Sequence, residues 1–402
     1  MDIFFITMGE FAFKNQKGIY PDLIRKLRED GHRISVLGAY NKHCGKKEDD
    51  IYVDGVRIVH TIIGNLEKCG PVEKGITMLL LDNIYINAIK KYFSNTHFDL
   101  VIYATPPITF VRTIEYIKKR DGARSYLLLK DIFPQNAVDI GILKTRGVGR
   151  ILYKYFRNTE IKLYKLSDRI GCMSSANKEY ILKHNKIESK KVEVFPNCIS
   201  TKNIMSIDEK DKNFIKIQYN IPNDKVILVY GGNLGKPQGI PFIIDCLKSQ
   251  KNNKKVFFII IGSGTEFSKL ENYIKKESPQ NVLLLKAIPR DDYNKLLAVC
   301  DIGLIFLDHD FTIPNYPSRL LGYMQARLPI IACTDVNTDI GKDIINGGFG
   351  WWCESNNVHA FEMILNTAIK ANLKDMGKKG FSYLLKNFSI ENHYHKIIEI
   401  ID

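Results

Sequence analysis

A glycine-rich segment from Tyr230 to Gly239, with the sequence YGGNLGKPQG, lies between a predicted strand and a predicted helix. Glycines such as Gly232 and Gly235 let a backbone approach a ligand closely, and the start of the following helix favours an anion. Lys236 adds a full positive charge. Because the segment is not a true dinucleotide or P-loop motif, two interpretations stay open: a phosphate-binding loop, or a tight strand–helix turn with an incidental lysine.

A second segment, Pro314 to Met324, reads as an ordered loop followed by a helix that begins near Pro317 or Ser318. Ser318 and Arg319 in a first helical turn are able to hold a phosphate through a hydroxyl group, backbone N–H groups and a guanidinium fork. The alternative is a capping serine followed by a solvated arginine.

A third segment, Leu129 to Asn136, places Lys130 and Asp131 at the end of a predicted strand, shortly before Pro134. Such a charged pair marks a cleft-lining loop more often than a core feature. Asp131 either binds an acceptor hydroxyl or assists proton transfer, or it caps the next helix. The sequence leaves these interpretations open.

The triplet Asp308-His309-Asp310 looks like the D-x-D metal motif of another class of transferase. Oxygen ligands for magnesium need more converging carboxylates than this segment supplies. We therefore predict a loop without a metal. The eight cysteines form no C-x-x-C pair, which indicates reduced thiols rather than a zinc site or a disulfide framework.

Alternating strand and helix signals position these segments, and they predict parallel sheets covered on both faces. Ligands of such sheets bind beyond the carboxyl ends of the strands. The predicted strands are 3–6, 33–37, 56–59, 100–103, 125–130, 169–173, 192–195, 226–230, 256–261, 281–286, 302–306 and 329–333. In the second half of the chain, helices are expected near 239–250, 265–277, 290–299, 317–326, 357–371 and 374–386.

The same rhythm restarts after residue 200, and the polar stretch from Ser200 to Asn213 is the best linker candidate. We therefore predict an acceptor domain over 1–200 and a donor domain over 201–388. Residues 389–402 are expected to return to the first domain, which is an analogy with other two-domain folds rather than a derivation.

Taken as an ordered set, these segments resemble the retaining GT-B glycosyltransferases of family 4, most of all the bacterial branch that builds O-antigen and capsular polysaccharide on a lipid carrier. The resemblance extends over essentially the whole chain. It is carried by Gly231 to Gly239, Ile260 to Gly264, Pro317 to Leu320, Val194 to Asn197, and Lys130 to Pro134, the last as a D-x-x-P element.

The resemblance implies two Rossmann-like domains facing a central cleft. It also implies a metal-independent hexosyl- or N-acetylhexosaminyl-transferase that uses a nucleoside-diphosphate sugar, with UDP favoured, and no cofactor. Lys236 and Arg319 would neutralise the leaving diphosphate, and Asp131 is the third predicted catalytic residue. The predicted donor-binding residues are Gly18, Gly232, Asn233, Gly235, Lys236, Gly262, Ile288, Ser318, Arg319 and Leu320.

The chain also departs from the family pattern. Many members carry two glutamates eight positions apart near the Pro317 helix, and Pro314 and Gly322 stand there instead. Asn233 and Gln238 replace the usual arginine and lysine of the diphosphate loop, and Lys130 replaces a frequent histidine. A catalytically silent transferase-like subunit is therefore kept as an alternative. A sugar-nucleotide epimerase is kept as a second one, because such enzymes can share the two-domain fold.

The net charge of +14 is concentrated in residues 101–200, which carry 19 Lys and Arg against 9 Asp and Glu. No nucleic-acid-binding signature accompanies this charge. We expect Lys130, Arg150, Lys154 and Arg157 on the acceptor and membrane side, with an anionic inner leaflet and a lipid-diphosphate-linked or glycan acceptor as partners. The alternative is a solvated helix whose aromatic residues face the core.

No secretory signal or membrane-spanning segment is recognisable in the sequence. We therefore expect a cytoplasmic protein that lies peripherally on the inner face of the membrane.

Overall fold

The computed structural model describes residues 1–14, 16–66, 69–147, 149–202 and 208–400, except for the side chains of residues 71 and 72. The chain divides into two compact units. The first unit comprises Met1–Ser200 with Ser389–Asp402, and the second comprises Thr201–Phe388.

Each unit contains one sheet. The first sheet has the strand order β3-β4-β2-β1-β5-β6-β7-β8, and the second has the order β11-β10-β9-β12-β13-β14. The strands are β1 (Asp2–Ile6), β2 (Arg33–Asn41), β3 (Asp49–Val53), β4 (Val56–Ile63), β5 (Leu100–Thr105), β6 (Arg124–Leu129), β7 (Arg169–Cys172), β8 (Val192–Val194), β9 (Val226–Asn233), β10 (Val256–Ser263), β11 (Val282–Lys286), β12 (Ile302–Phe306), β13 (Ile330–Thr334) and β14 (Gly350–Glu354).

Apart from the connections to β3, helices connect consecutive strands, as parallel pairing requires. They are α1 (Ile19–Glu29), α2 (Pro71–Tyr92), α3 (Val111–Asp121), α4 (Gln135–Asp139), α5 (Gly149–Leu166), α6 (Ser175–His184), α7 (Glu209–Gln218), α8 (Ile240–Ser249), α9 (Phe267–Glu277), α10 (Arg290–Leu297), α11 (Arg319–Gln325), α12 (Ile340–Asn346), α13 (Val358–Ala368), α14 (Leu373–Asn387) and α15 (His395–Ile398).

Fully apolar strands form the cores because both faces of each sheet are covered. Ile3 to Ile6 of β1 and Ile302 to Phe306 of β12 are almost completely inaccessible to solvent. The C-terminal segment belongs to the first core, where Ile390 and Ile397 pack with residues of β1 and α1. A parallel β-bridge pairs Ile199, where the chain leaves this unit, with Ser389, where the chain returns to it.

One edge strand of the first sheet, β3, was not predicted from the sequence. β3 pairs with β4 antiparallel, and its three central residues are exposed, with Tyr52 at 72%, so it contains no buried apolar run. β14 and α12 were also missed. Within the predicted linker, residues 203–207 lie outside the described residues, but α7 begins at Glu209, where Asp208 caps it by accepting from the N–H of Asp211. The linker is therefore shorter than predicted.

Candidate donor and acceptor sites

The glycine-rich segment of the second unit follows β9, which runs three residues further than predicted, to Asn233. The amide oxygen of Gln238 accepts hydrogen bonds from Asn233 Nδ2 at 2.9 Å and from the Gly235 N–H at 3.2 Å. These contacts bend the loop back on itself and leave Gly232, Asn233 and Lys236 exposed. The two side chains that depart from the family pattern thus hold the loop together.

Gly262 at the end of β10 allows this loop to approach closely. A Cβ atom on Gly262 would lie 1.8 Å from the carbonyl oxygen of Gly232, and one on Gly264 would lie 2.4 Å from the backbone of Leu234. Both positions therefore exclude any side chain for steric reasons. Gly262 was predicted to bind the donor, and the structure shows it supporting the neighbouring loop.

Arg319 begins α11 and turns its side chain toward the same loop. Its guanidinium carbon lies 4.2 Å from the ring centroid of Tyr230, and Nη2 would lie 3.3 Å from a Cβ atom on Gly232. Its Nη1 atom is buried and has no hydrogen-bond partner among the described residues. A guanidinium keeps its charge at any physiological pH, so Arg319 is a half-buried cation whose Nη1 atom has unused donors toward the described residues.

The first turn of α11 contains two further predicted donor-binding residues. Ser318 precedes the helix and is exposed, and its hydroxyl makes no capping hydrogen bond. The alternative of a capping serine was therefore wrong. The side chain of Leu320 is fully buried, and its N–H donates to the carbonyl oxygen of Pro317 at 3.3 Å. Leu320 therefore contributes packing at this position.

Two tyrosines that the sequence interpretation missed complete the surroundings of Arg319. Tyr323 is fully buried, and its hydroxyl accepts a hydrogen bond from the N–H of Gly231 at 3.3 Å. Tyr293 of α10 interacts with both Tyr323 and Arg319. Tyr323 was detectable from the sequence, because a residue four positions after Arg319 shares its helical face. Tyr293 carried no such signal.

The predicted base-binding backbone lies between β11 and α10. Ala287 is exposed and Ile288 is half-buried in a three-residue loop that ends at Pro289. Because β11 occupies the edge of the sheet, this loop lies at the carboxyl side of an outer strand. The second unit thus places the glycine-rich loop, Arg319 and the Ile288 loop at the carboxyl ends of its strands.

The first unit places Asp131 directly after β6. Its carboxylate accepts a hydrogen bond from Asn136 Nδ2 at 2.6 Å, and its carbonyl accepts from Thr105 Oγ1 at 3.2 Å. Burial, with a smaller contribution from the nearby carboxylate of Glu160, raises the pKa of Asp131 to about 6. Asp131 therefore changes its protonation state close to neutral pH, as a group that exchanges protons with a substrate does.

Lys130 is not the surface cation that its charge suggested. Its ammonium nitrogen is buried 5.6 Å from the ring centroid of Phe195 and has no hydrogen-bond partner in the described part of the chain. Burial lowers the pKa of Lys130 to about 8. The aromatic contact partly replaces the lost hydration.

Gly18 caps the start of α1 in the first unit. Its φ of 142° lies in the region that favours glycine, and its carbonyl accepts from the Asp22 N–H at 2.9 Å. Gly18 is itself buried.

The basic residues of α5 divide into two groups. Arg150 and Lys154 are exposed, whereas Arg157 forms an ion pair with the buried carboxylate of Glu160 and donates to the carbonyl oxygen of His184 at 2.8 Å. Arg157 therefore joins α5 to the end of α6 and does not face solvent freely.

The aromatic residues of α5 follow the same division. Phe156 packs edge-on against Phe133, and Leu163 and Tyr164 are buried. The exposed large apolar residues are instead Ile151 at 74%, Leu152 at 49% and Tyr155 at 44%. Among the described residues, no helix is long and apolar enough to cross a bilayer.

Asp308, His309 and Asp310 do approach one another, with one ligand atom of each lying within 4.8 Å of the others. His309 Nε2 lies 3.1 Å from Asp310, and the Asp310 N–H donates to the carboxylate of Asp308 at 3.0 Å. The absence of a metal at this loop stays a prediction.

Two family models match the chain. Residues 22–203 match Glycosyltransferase Family 4, and residues 211–391 match Glycosyl transferases group 1. Both halves of the chain are therefore glycosyltransferase domains.

Two relatives are similar over much of the sequence. The chain is 26% identical over 293 residues to the probable glycosyltransferase WbjE of Pseudomonas aeruginosa, covering 72% of this chain and 71% of WbjE. It is 19% identical over 244 residues to the putative colanic acid biosynthesis glycosyl transferase WcaI of Escherichia coli K12, covering 61% of this chain and 59% of WcaI.

Solved structures of similar fold cover nearly all of the chain. Sucrose-phosphate synthase from Thermosynechococcus elongatus superposes with a TM-score of 0.75 at 13% identity, covering 100% of this chain and 98% of that one. Anabaena HepE in complex with UDP superposes with a TM-score of 0.69 at 14% identity, covering 99% of this chain and 98% of that one. WaaG, a glycosyltransferase involved in lipopolysaccharide biosynthesis, superposes with a TM-score of 0.66 at 15% identity, covering 99% of each chain. These matches confirm the predicted GT-B fold class, α/β with two Rossmann-like parallel-sheet units.

Proposed function

We propose that this protein is a retaining glycosyltransferase that moves a sugar from a UDP-sugar to a lipid-linked or glycan acceptor in the assembly of surface polysaccharide. The observation that carries the proposal concerns Nη1 of Arg319, which is buried beside the exposed loop of Gly232 and Lys236 and has no hydrogen-bond partner within the described ranges. Two cations and a glycine backbone at the carboxyl end of a parallel sheet match the requirements of a diphosphate.

In the proposed reaction, the bond between the anomeric carbon and the diphosphate oxygen breaks while a bond to the acceptor oxygen forms. Arg319 and Lys236 stabilise the negative charge that develops on the diphosphate as it leaves. The aromatic ring of Tyr230 holds the guanidinium in place, so the charge requires little reorganisation during the step. We propose that no metal ion is needed, because these two side chains supply the positive charge.

Asp131 is the proposed contact for the acceptor in the first unit. Its carboxylate accepts from Asn136, and burial keeps it near the point of protonation at neutral pH. A carboxylate of this kind accepts a hydrogen bond from an acceptor hydroxyl and orients it. As the new glycosidic bond forms, the proton of the acceptor hydroxyl passes to the carboxylate of Asp131.

The proposed location is the anionic inner face of the membrane. Residues 140–159 contain five cations and no carboxylate, and Ile142, Ile151 and Leu152 are at least 49% exposed in this segment. Each cation near an anionic surface contributes on the order of 1 kcal/mol, and the apolar side chains add to this by burial. An anionic lipid surface is therefore the partner that matches both properties.

The class of product is supported by relatives. WcaI is described as a colanic acid biosynthesis transferase, WaaG acts in lipopolysaccharide biosynthesis, and HepE binds UDP in its solved complex. We extend the UDP donor, the hexosyl or N-acetylhexosaminyl group and the O-antigen or capsule class to this chain as part of the proposal.

A transfer assay tests this function. Radiolabelled UDP-glucose, UDP-galactose and the two corresponding N-acetylhexosamine donors are incubated with the protein and bacterial membrane lipids, with and without EDTA. We expect label from one donor in the lipid phase, equally in both conditions. If the donor is instead converted into a different nucleotide sugar when no acceptor is present, the protein is an epimerase. Loss of transfer in EDTA contradicts metal independence.

A further inference from the structure

Tyr293 lies where the three elements of the donor site meet. It lies in the first turn of α10, four residues after Pro289, where the loop that begins at Ala287 ends. A Cβ atom built on Gly231 would lie 2.2 Å from the hydroxyl oxygen of Tyr293 and 2.3 Å from its Cε2 atom. The ring therefore rests directly on the backbone at the start of the glycine-rich loop, and this contact requires glycine at position 231.

The hydroxyl of Tyr293 lies close to that of Tyr323, and the two groups interact electrostatically. Tyr323 in turn accepts from the Gly231 N–H at 3.3 Å and lies 3.1 Å from the carbonyl oxygen of Leu304, which accepts from it. Through these bonds, α11 is fixed in rotation against β9 and β12. Arg319 lies one turn earlier on the same face of α11, so the rotation of this helix decides where its guanidinium points.

We infer that Tyr293 is a positioning residue of the donor site, which holds Arg319 and the loop at Gly231 in the arrangement that receives a nucleoside diphosphate. This inference rests on the proposed function. Tyr293 touches the loop through its ring and reaches α11 through its hydroxyl. It also anchors the segment that follows Ile288, so binding of a base and binding of a diphosphate share one support.

The test is titration calorimetry of UDP with the wild type, Tyr293→Phe and Tyr273→Phe. Phenylalanine keeps the ring and removes only the hydroxyl. Tyr273 is the matched control, because its hydroxyl is also buried in the second unit and has no partner there among the described residues. We expect the Kd for UDP to rise five- to tenfold in Tyr293→Phe at unchanged stoichiometry, and to stay within twofold in Tyr273→Phe.

A second measurement asks whether Tyr293 acts through Arg319. If it does, Tyr293→Phe has a smaller effect on the Kd in an Arg319→Lys background than in the wild type, because the planar guanidinium that it positions is gone. Equal effects in both backgrounds would overturn the inference. So would a wild-type Kd in Tyr293→Phe, or a fall in stoichiometry at constant Kd, which indicates partial unfolding.

The failure of the inference is distinguishable from the failure of the proposed function. If the wild type binds no UDP, the proposed donor is wrong. If the wild type binds UDP and Tyr293→Phe binds it equally well, the donor site stands and only the role of Tyr293 is wrong.

Discussion

The guanidinium of Arg319 stacks on the ring of Tyr230, 4.2 Å from its centroid, in the buried part of β9 just before its exposed carboxyl end. The Tyr230 hydroxyl donates to the carbonyl oxygen of Asn233 at 2.6 Å, so the same side chain supports both the arginine and the loop. A cation on an aromatic face gains about 0.5–2 kcal/mol, depending on how far it is desolvated. The aromatic ring holds the cation and leaves its donors available for a ligand.

Tyr230→Leu is therefore expected to weaken UDP binding by about tenfold, since the guanidinium loses its aromatic support. Tyr230→Phe keeps the ring and should bind UDP within about threefold of the wild type. Calorimetric titration measures both, and circular dichroism checks that each variant is folded. Equal affinities for the leucine and phenylalanine variants would contradict the role of the ring.

The protonation of Asp131 predicts the pH dependence of the transfer reaction. With a pKa of about 6, the carboxylate becomes protonated as the pH falls below 6 and stops accepting from an acceptor hydroxyl. We expect the rate of the wild type to fall on the acid side with an apparent pKa near 6. Asp131→Asn should be strongly impaired at pH 8, and a wild-type profile that is flat from pH 5 to 8 would be incompatible with this role.

The same carboxyl group predicts a change in stability. Its pKa in the folded protein is raised above the unfolded value, so its contribution to stability is present below about pH 4 and is lost as the pH rises through 6. Asp131→Asn removes this loss and should raise the free energy of unfolding by about 1–3 kcal/mol at pH 8 but not at pH 4. Chemical denaturation at the two pH values measures the difference.

Gly322 offers a stability test at the proposed donor site. It lies inside α11, and a Cβ atom there would meet only Leu297 Cδ1, at 4.0 Å. Gly322→Ala should therefore stabilise the protein by about 0.5–1 kcal/mol. The control is Gly377→Ala in α14, where the Cβ atom would lie 1.9 Å from the carbonyl oxygen of Arg327. The melting temperature should rise for Gly322→Ala and fall for Gly377→Ala. A fall for both variants would contradict the open space described beside Gly322 in α11.

The exposed apolar face of α5 predicts membrane binding. Ile151→Glu/Leu152→Glu introduces two negative charges at the proposed contact, and binding to phosphatidylglycerol vesicles should fall by more than about tenfold. Ile217→Glu is the matched control, because Ile217 is 76% exposed on α7 of the second unit. Vesicle co-sedimentation measures binding. If the wild type binds neutral and anionic vesicles equally, or if Ile217→Glu loses as much binding as the double variant, this face of α5 is not the membrane contact.

Local sequence patterns were sufficient for the buried strands. Ile302 to Phe306 is a continuous apolar run, and it forms β12 over the same residues. The edge strand β3 was missed because edge strands carry polar and exposed residues, as Tyr52 does. The predicted loop after Tyr230 began too early because Gly262 and Gly264 allow β9 to continue beside β10.

The site residues were predictable where their chemistry follows from type and position along a strand or helix. Arg319, Lys236 and Asp131 were predicted in this way, and their roles stay predictions. The burial of Lys130 was not predictable, since a lysine is expected to be solvated unless its surroundings are known. The contact between Tyr293 and Gly231 arises from the crossover between β11 and β12, which no local pattern encodes.

The most direct test of the proposed donor site is calorimetric binding of UDP, GDP, CMP and ADP to the wild type, Arg319→Ala and Lys255→Ala. Lys255 is an exposed lysine at the opposite end of a strand in the same unit, so it controls for loss of charge. We predict that UDP binds to the wild type and to Lys255→Ala and that Arg319→Ala loses at least tenfold in affinity. Binding of no nucleotide to the wild type, or undiminished UDP binding to Arg319→Ala, would contradict a diphosphate site at Arg319.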